Sequence, residues 1–198
     1  MIVQFAPDGN LRSYLLNNFN NILWEYKITK LFQIIHNLYR LHELRYCHKD
    51  FHSGNILQVS KTSFISDFGL TGPADEQKSD DKIYGVLPYI APEVLNGELY
   101  TLASDIYSFG VIMAELSTGN LPFYNRMHDF ELSLDVCNGL RPEFGKGTPE
   151  FYKKLAYRCM DANQNQRPKA DELKEILNFW YSSIYNYEEY KNDKEYGY

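Results

Sequence analysis

Apolar residues recur along the chain at intervals of three and four, which is the spacing of a helix face. From residue 27 they occupy positions 28, 31, 34, 35, 38 and 41, and this pattern predicts an amphipathic helix over residues 27–45. The stretch DIYSFGVIMAEL, which begins at Asp105, is apolar almost all round and predicts a helix buried in the core. Similar patterns predict a short helix at LRSYLLNNF and further helices at residues 128–138, 150–161 and 169–182.

A different pattern follows the first long helix. The runs NILQV and FISD stand on either side of a polar turn, so they predict two strands joined as a β-hairpin over residues 55–67. Residues 1–5 are a further strand-like run that ends at PDGN. Residues 69–88 are rich in aspartate, glycine and serine and predict a loop. Taken together, the patterns predict a mainly helical domain that contains one small β-hairpin.

The ends of this hairpin carry candidate chemistry. Asn55 comes just before the first strand and Asp67 just after the second. Paired strands lie ~4.8 Å apart, so the two side chains would present oxygen ligands to one point, as Mg²⁺ prefers. Asp50 lies on the same loop as Asn55 and can reach the same space. A carboxylate beside a magnesium–phosphate site can orient and deprotonate a hydroxyl nucleophile.

Two other interpretations of these residues are open. Aspartate and asparagine also favour turns, so the polar residues could simply flank a hairpin. The group His42, Cys47, His48 and His52 could instead bind zinc, because two of its histidines are four residues apart. The sequence Ser-Gly-Asn at residues 53–55, however, favours a loop over the helix that such a zinc site would need.

Composition narrows the class of protein. The chain has 198 residues, enough for one domain with a sizeable core. Its formal net charge of −6 argues against a general nucleic-acid binder. Three widely spaced cysteines form no disulfide framework, which favours a reducing, cytoplasmic location. Apolar stretches such as GVIMAEL fall short of the ~20 residues that span a bilayer, and the first residues lack the pattern of a signal peptide.

Three motifs occur in order along the chain. H-x-D-x-x-x-x-N stands at residues 48–55, D-F-G at 67–69 and A-P-E at 91–93. One of them could arise by chance, but the ordered set is specific, and over residues 1–180 the chain resembles the eukaryotic protein kinases. The resemblance implies an α+β fold, of which this chain carries the hinge and the mainly helical C-terminal lobe. Residues 181–198 are expected to be a tyrosine-rich tail of low order.

The resemblance also implies roles for residues near the hairpin. Asp50 matches the catalytic aspartate, and Asn55 and Asp67 match the residues that hold Mg²⁺ for ATP. The backbones of Gln4 and Ala6 match the hinge groups that bind the adenine edge. A further group matches positions that bind phosphate, line the adenine or support the site: His48, His52, Leu57, Phe68, Glu93, Asp105 and Arg167.

In the resemblance, these last residues have distinct tasks. His52 stands where serine/threonine kinases usually carry a phosphate-contacting lysine, and Leu57 matches the floor of the adenine pocket. His48 and Phe68 match the two spine residues of the lobe. Asp105 matches the residue that binds the backbone of the catalytic loop. A final pair, Glu93 and Arg167, matches the ion pair that ties the activation segment to the late helices.

The sequence departs from the family at several positions. Lys49 replaces the usual arginine, and lysine cannot donate bidentate hydrogen bonds to a phosphate as arginine does. Val86 replaces a threonine whose hydroxyl contacts the catalytic aspartate. The glycine-rich loop, strand lysine and helix glutamate of the N-terminal lobe have no counterpart in this sequence. That absence implies weak ATP binding and slow reaction for the chain alone.

Two functions follow as hypotheses. The first is transfer of the ATP γ-phosphate to a hydroxyl of a protein substrate, with the tyrosine-kinase-like branch of the serine/threonine kinases as the best match. The second is a non-catalytic, kinase-like interaction module. An intact set of Asp50, Asn55 and Asp67 favours the first, and we expect this chain to be a fragment of a longer kinase.

Overall fold

The computed structural model is built of helices packed around one central helix. It describes residues 6–74 and 83–195, and side chains as far as residue 186. Gln4, one of the two predicted adenine-binding positions, lies outside the described residues. Within the described part there are seven α-helices: α1 (Leu11–Asn18), α2 (Trp24–Glu43), α3 (Pro92–Leu95), α4 (Leu102–Thr118), α5 (Phe130–Cys137), α6 (Glu150–Cys159) and α7 (Ala170–Glu195).

Helix α4 forms the centre of the lobe. It begins after Thr101, whose backbone N–H donates to Ser104 Oγ at 3.1 Å, and it ends at Gly119, where a φ of 74° suits glycine. Its residues from Ser104 to Ser117 are all buried. Gly110 lets α6 approach closely, since a Cβ there would lie 2.7 Å from Met160 Cγ. No helix among the described residues has the length and apolarity needed to cross a bilayer.

Four short strands form two antiparallel pairs. β2 (Ile56–Val59) pairs with β3 (Thr62–Ile65) in the predicted hairpin. β1 (Tyr46–Cys47) pairs with β4 (Gly72–Pro73). The sequence did not predict this second pair, because two residues are too few to show a strand pattern. The mainly helical architecture with a small β-hairpin is confirmed.

The observed helices differ from the predicted ones chiefly at their ends. α2 begins three residues earlier than predicted, and α4 extends past the apolar stretch on both sides. The largest difference is in α7, which continues as one helix to Glu195. Its backbone therefore runs through most of the tyrosine-rich segment 181–198. The domain limit at residue 180 stays a prediction.

A buried lysine anchors the turn of the hairpin to α2. Lys30 is fully buried, and its ammonium donates to the Lys61 carbonyl oxygen at 2.9 Å. The same turn is held by Asp8, whose carboxylate accepts from the Ser60 N–H at 2.6 Å. Burial lowers the pKa of Lys30 to about 8, against the opposing attraction of Asp8. The hairpin that carries Asn55 and Asp67 is thus fixed at its far end.

We expect the stability cost of the Lys30 charge to disappear in alkaline solution. The folded pKa of about 8 lies below the unfolded value of 10.5, so between these values the unfolded chain binds more protons and stability rises with pH. Lys30→Met removes the group. The thermal midpoint of the wild type, compared with that of Lys30→Met, should therefore rise as pH increases from 7 to 10. If the difference between the thermal midpoints of the two proteins stays constant with pH, the lowered pKa of Lys30 in the folded protein is contradicted.

Candidate active site

The loop between β1 and β2 holds Asp50 between two side chains. Asn55 donates from Nδ2 to the Asp50 carbonyl oxygen (2.9 Å) and to its Oδ2 (3.1 Å). On the other side, His52 Nε2 lies 3.3 Å from Asp50 Oδ1. His52 Nδ1 accepts the Gly54 N–H at 3.0 Å, so the proton of the neutral ring is on Nε2, facing the carboxylate. The structure thus brings together the three residues that the sequence assigned to catalysis.

The two oxygens of the Asp50 carboxylate differ in their contacts. Oδ1 is buried and accepts no hydrogen bond from the described residues, because the contact with His52 lacks the alignment of a hydrogen bond. The contact with His52 nevertheless lowers the pKa of the Asp50 carboxyl below its ordinary value, while burial acts in the opposite direction. Asp50 is therefore an ionised carboxylate at neutral pH.

Asn55 and Asp67 lie at the open end of the hairpin. Ser66, which precedes Asp67, donates from its backbone N–H (2.8 Å) and its hydroxyl (2.9 Å) to the Asn55 carbonyl oxygen, so the two ends are neighbours. Asp67 is exposed, and its Oδ1 accepts a long contact of 3.4 Å from the Gly69 N–H. An amide oxygen and an exposed carboxylate on neighbouring ends of a hairpin are the types of donor that fit Mg²⁺.

Two residues beside these side chains have unusual backbones. Lys49, directly before Asp50, has a φ of 69°, and Asp67 has a φ of 61°. Residues other than glycine rarely adopt this left-handed conformation, and it tends to occur at functional sites.

His48 and Phe68 are in contact, as the resemblance implied. Their ring centroids are 5.6 Å apart, and Phe51 packs on the same histidine at 5.7 Å. His48 is fully buried, and its Nε2 lies 3.0 Å from the Ser66 carbonyl oxygen. Phe68 is 54% exposed, so its other side is open for packing by a further part of the protein.

Asp105 joins the central helix to the catalytic loop. Its carboxylate accepts from the backbone N–H of His48 at 2.8 Å and of Lys49 at 3.2 Å. His42 of α2 adds a contact of 3.0 Å from its Nε2 to Oδ2. Asp105 is buried, and these partners compensate the cost of placing a carboxylate in the core.

Glu93 and Arg167 form a two-pronged ion pair. The guanidinium donates from Nη1 and Nη2 to the two carboxylate oxygens, each at 2.6 Å. Arg167 also donates to the Ala103 and Asp161 carbonyl oxygens. Both side chains are almost completely buried. The pair therefore ties α3 to the segment that leads into α7.

The described part of the predicted adenine site is small. Leu57 forms a β-bridge with Asn10, and the neighbouring Gln58 N–H donates to Gly9 at 2.8 Å. Ala6 begins the described chain, and its carbonyl oxygen accepts from the Gly9 N–H at 3.2 Å. The structure thus places Leu57 beside the chain that leads out of the predicted hinge.

The sequence missed a buried polar network next to the catalytic loop. Glu115 of α4 accepts hydrogen bonds from Ser53 Oγ (2.8 Å) and Tyr89 Oη (2.6 Å). Burial raises the pKa of the Glu115 carboxyl, although both hydrogen bonds oppose the shift. The apolar pattern of DIYSFGVIMAEL predicted a buried helix but gave Glu115 no role. The signal was available, because Glu115 is an acid in an otherwise apolar turn.

The alternative zinc site receives no support. Among the side chains that the structure describes, in residues 6–74 and 83–186, no three of histidine, cysteine, aspartate or glutamate come together as metal ligands. His42 contacts Asp105, and His48 and His52 contact groups of the catalytic loop. Their positions are explained by these contacts.

Comparisons with known proteins agree with this geometry. A family model described as protein tyrosine and serine/threonine kinase matches residues 1–177. A Dictyostelium discoideum protein described as probable serine/threonine-protein kinase roco5 is 31% identical over 185 residues, covering 85% of this chain and 6% of the relative. Another protein of that organism, described as a probable serine/threonine-protein kinase, is 37% identical over 145 residues, covering 66% of this chain and 17% of the relative.

A third relative covers more of both chains. A Drosophila melanogaster protein described as mitogen-activated protein kinase kinase kinase 7-like is 29% identical over 197 residues, covering 92% of this chain and 49% of the relative. The chain thus spans about half or less of the length of these relatives. Because the family model covers most of the sequence, the chain belongs to the protein tyrosine and serine/threonine kinase family.

Proposed function

We propose that this chain supplies the catalytic loop and metal ligands of a kinase that transfers the ATP γ-phosphate to a serine or threonine hydroxyl of a protein. The observation that carries the proposal is Asp50, an ionised carboxylate that Asn55 and His52 hold in place on the loop that leads into the hairpin. We further propose an intracellular location, on the basis of the three widely spaced cysteines.

The proposed role of Asp50 is to position the acceptor hydroxyl and take its proton. Asn55 holds the carboxylate in place through Oδ2, so its position is fixed when the acceptor hydroxyl arrives. His52 lies beside Oδ1 and disfavours protonation of the resting carboxylate. Asp105 holds the backbone before Asp50 and so fixes the direction of the loop. Positioning of this kind supplies much of the catalysis in phosphoryl transfer.

ATP and Mg²⁺ are the proposed cofactors. Asn55 and Asp67 would hold the metal ion, which neutralises charge on the transferring phosphoryl group when bound. Leu57 and the backbones of Gln4 and Ala6 are proposed to bind the adenine. Val86 lies next to Gly85, where a Cβ would be 3.2 Å from Asp50 Oδ1. Its apolar side chain offers no hydroxyl to the carboxylate.

The alternative function is a kinase-like module that binds partners without catalysis. Val86 and Lys49 favour it, because each replaces a polar contact that active relatives of the family usually have. The ordered cluster of Asp50, Asn55 and Asp67 favours catalysis, because a binding module has no need for paired metal ligands. Binding of nucleotide in a magnesium-dependent manner discriminates between the two functions.

Asp67→Ala is expected to remove magnesium-dependent nucleotide binding. The variant loses the exposed carboxylate at the open end of the hairpin, so the metal ion keeps only one protein oxygen. We expect the affinity for Mg²⁺–ATP, measured by calorimetry on the protein that contains this chain, to fall about 100-fold or more. Binding of ATP in the presence of a chelator should change little.

Asp171→Ala provides the matched control for this measurement. Asp171 is an exposed carboxylate near the start of α7 with no proposed role in binding metal or nucleotide, and its removal should leave the affinity unchanged. Equal Mg²⁺–ATP affinities for the wild type and Asp67→Ala would refute the metal-ligand assignment. A wild type that binds nucleotide equally with and without magnesium would favour the non-catalytic alternative.

A further inference from the structure

A pocket opens where the end of α2 meets the beginnings of α4 and α7. It has a volume of about 510 Å³, which is within the range of sites that bind small molecules. Its lining comes from residues 39–45, 102–106 and 164–171. None of the described residues that are proposed to bind ATP or metal, or to act in catalysis, lines this pocket. It is therefore separate from the candidate active site.

The walls of the pocket are held by contacts within the fold. Arg167 is fixed by its hydrogen bonds to Glu93 and by one to the Ala103 carbonyl oxygen. The hydroxyl of Thr101, just before α4, donates to Gln164 Oε1 at 3.1 Å, and α2 packs along α7. These contacts join the three segments of the lining. The pocket is therefore preformed, and little conformational freedom is lost when a ligand binds.

The inner part of the lining is largely apolar. Ile106, Pro168 and Ala170 are buried residues of the lining, and the half-buried Leu102 adds a second large aliphatic side chain. Apolar walls stabilise a ligand by removing its apolar surface from water. The lining thus favours a ligand with an apolar body.

Charged side chains at the rim of the pocket balance one another. Four exposed residues of the lining are charged, two of each sign: Arg45, Lys169, Glu43 and Asp171. The buried cation of the lining, Arg167, is paired with Glu93. A rim with equal charges of both signs gives no net attraction to an anion or to a cation. The rim therefore favours an uncharged ligand.

One buried polar residue of the lining has a nitrogen without a partner. His42 is only 8% exposed, and its ring borders the pocket. Its Nε2 lies 3.0 Å from Asp105 Oδ2, and because a carboxylate only accepts, Nε2 carries the proton of the neutral ring. Nδ1 is then an acceptor, and within the part of the chain that the structure describes it makes no hydrogen bond. A ligand in the pocket that donates a hydrogen bond would satisfy it.

His42 also links the pocket to the catalytic loop. Asp105, its partner, accepts from the backbone N–H groups of His48 and Lys49, and Lys49 directly precedes Asp50. A ligand that donates to Nδ1 makes the Nε2–H of His42 a stronger donor to Asp105, because hydrogen bonds in a chain polarise one another. Occupation of the pocket should therefore be sensed by the two backbone N–H groups.

We propose that this pocket binds a small uncharged molecule that has an apolar body and one N–H or O–H group. The donor group of the molecule binds His42 Nδ1, and the apolar body lies against Leu102, Ile106 and Ala170. A mostly apolar cavity with one placed polar group is the usual composition of a small-molecule site. Binding here requires no nucleotide and no phosphotransfer, so the proposal stands apart from the proposed catalysis.

Indole and 1-methylindole test the proposal on the full chain, because their apolar bodies are nearly the same and only indole has an N–H group. The measurement is NMR of the ¹⁵N-labelled protein at mildly alkaline pH, where a histidine ring is ordinarily neutral. Indole should shift the Nδ1 resonance of His42 in a saturable manner, together with the backbone amide resonances of His48 and Lys49. 1-Methylindole should leave the Nδ1 resonance unchanged. Indole-3-acetate, which adds a carboxylate, should bind more weakly than indole.

Ala103→Leu tests the position of the ligand by filling the pocket. Ala103 is a half-buried residue of the lining, in the first turn of α4, and the larger side chain should weaken indole binding about tenfold or more. Ala162→Leu is the matched control, because Ala162 is exposed and does not line the pocket. This control should bind indole as the wild type does, and both variants should keep the wild-type thermal midpoint.

Three results would overturn the proposal on the wild-type protein alone. Indole could cause no saturable shift of the His42 resonance, 1-methylindole could cause the same shifts as indole, or indole-3-acetate could bind more tightly than indole. Equal loss of indole binding in Ala103→Leu and Ala162→Leu would also overturn it, because the ligand would then bind outside the pocket. The comparison of the ligands does not depend on the folding of either variant.

Discussion

Asp50→Asn is expected to lower the phosphotransfer rate by about 10²–10⁴-fold, the usual contribution of a positioned general base. Asparagine has nearly the same shape and can still be held near Asn55 and His52, so the loop should keep its conformation. It cannot take up the proton of the acceptor hydroxyl. The loss should therefore appear in kcat, while KM for ATP changes little, because Asp50 is not among the proposed nucleotide ligands.

The measurement is transfer of labelled phosphate from ATP to a protein substrate by the protein that contains this chain. Asp171→Asn removes an exposed carboxylate of α7 that has no proposed role in the reaction, and it serves as the control, with an expected rate equal to that of the wild type. A rate for Asp50→Asn close to that of the wild type would exclude Asp50 as the base. A rise in KM for ATP with unchanged kcat would instead indicate a role in binding nucleotide.

The sequence predicted those parts of the fold that a local pattern determines. The amphipathic helix α2 and the apolar helix α4 could be predicted from the sequence because helical periodicity depends only on nearby residues. The hairpin was visible because two apolar runs flank a polar turn. Its geometry correctly predicted that Asn55 and Asp67 are neighbours, since strand pairing fixes the distance between the ends.

Features that depend on tertiary contacts were not predictable in the same way. The left-handed backbones of Lys49 and Asp67 are held by the surrounding structure, because residues other than glycine seldom adopt this conformation and a local sequence pattern does not show where they will. The network of Glu115, Tyr89 and Ser53 joins positions that are 26 and 62 residues apart from Glu115. Periodicity carries no information about which distant groups satisfy a buried carboxylate.

Removal of the buried guanidinium of Arg167 should have the largest effect on stability. Arg167→Ala leaves the Glu93 carboxylate in the core without its two charge-assisted hydrogen bonds, and it leaves two backbone carbonyl oxygens without their donors. Breaking a buried ion pair by removing one partner typically costs about 3–5 kcal/mol. For a domain of this size that corresponds to a fall in the thermal midpoint of roughly 6–20 °C.

Arg158→Ala is the matched control, because Arg158 pairs with Glu172 and both side chains are nearly half exposed. An exposed pair contributes about 0–1 kcal/mol, so its loss should hardly change the denaturation curve. The unfolding free energy of Arg167→Lys should lie between those of Arg167→Ala and Arg158→Ala, since lysine keeps the charge but cannot donate to both carboxylate oxygens.

The double variant Glu93→Gln with Arg167→Met should recover part of the stability lost in Arg167→Ala, because no unpaired charge remains in the core. Equal unfolding free energies for Arg167→Ala and Arg158→Ala would show that the ion pair with Glu93 does not hold α3 to the late helices. If Arg167→Ala is much less stable than the wild type and the double variant is not, the loss of stability comes from the unpaired Glu93 carboxylate rather than from the lost attraction between the two charges.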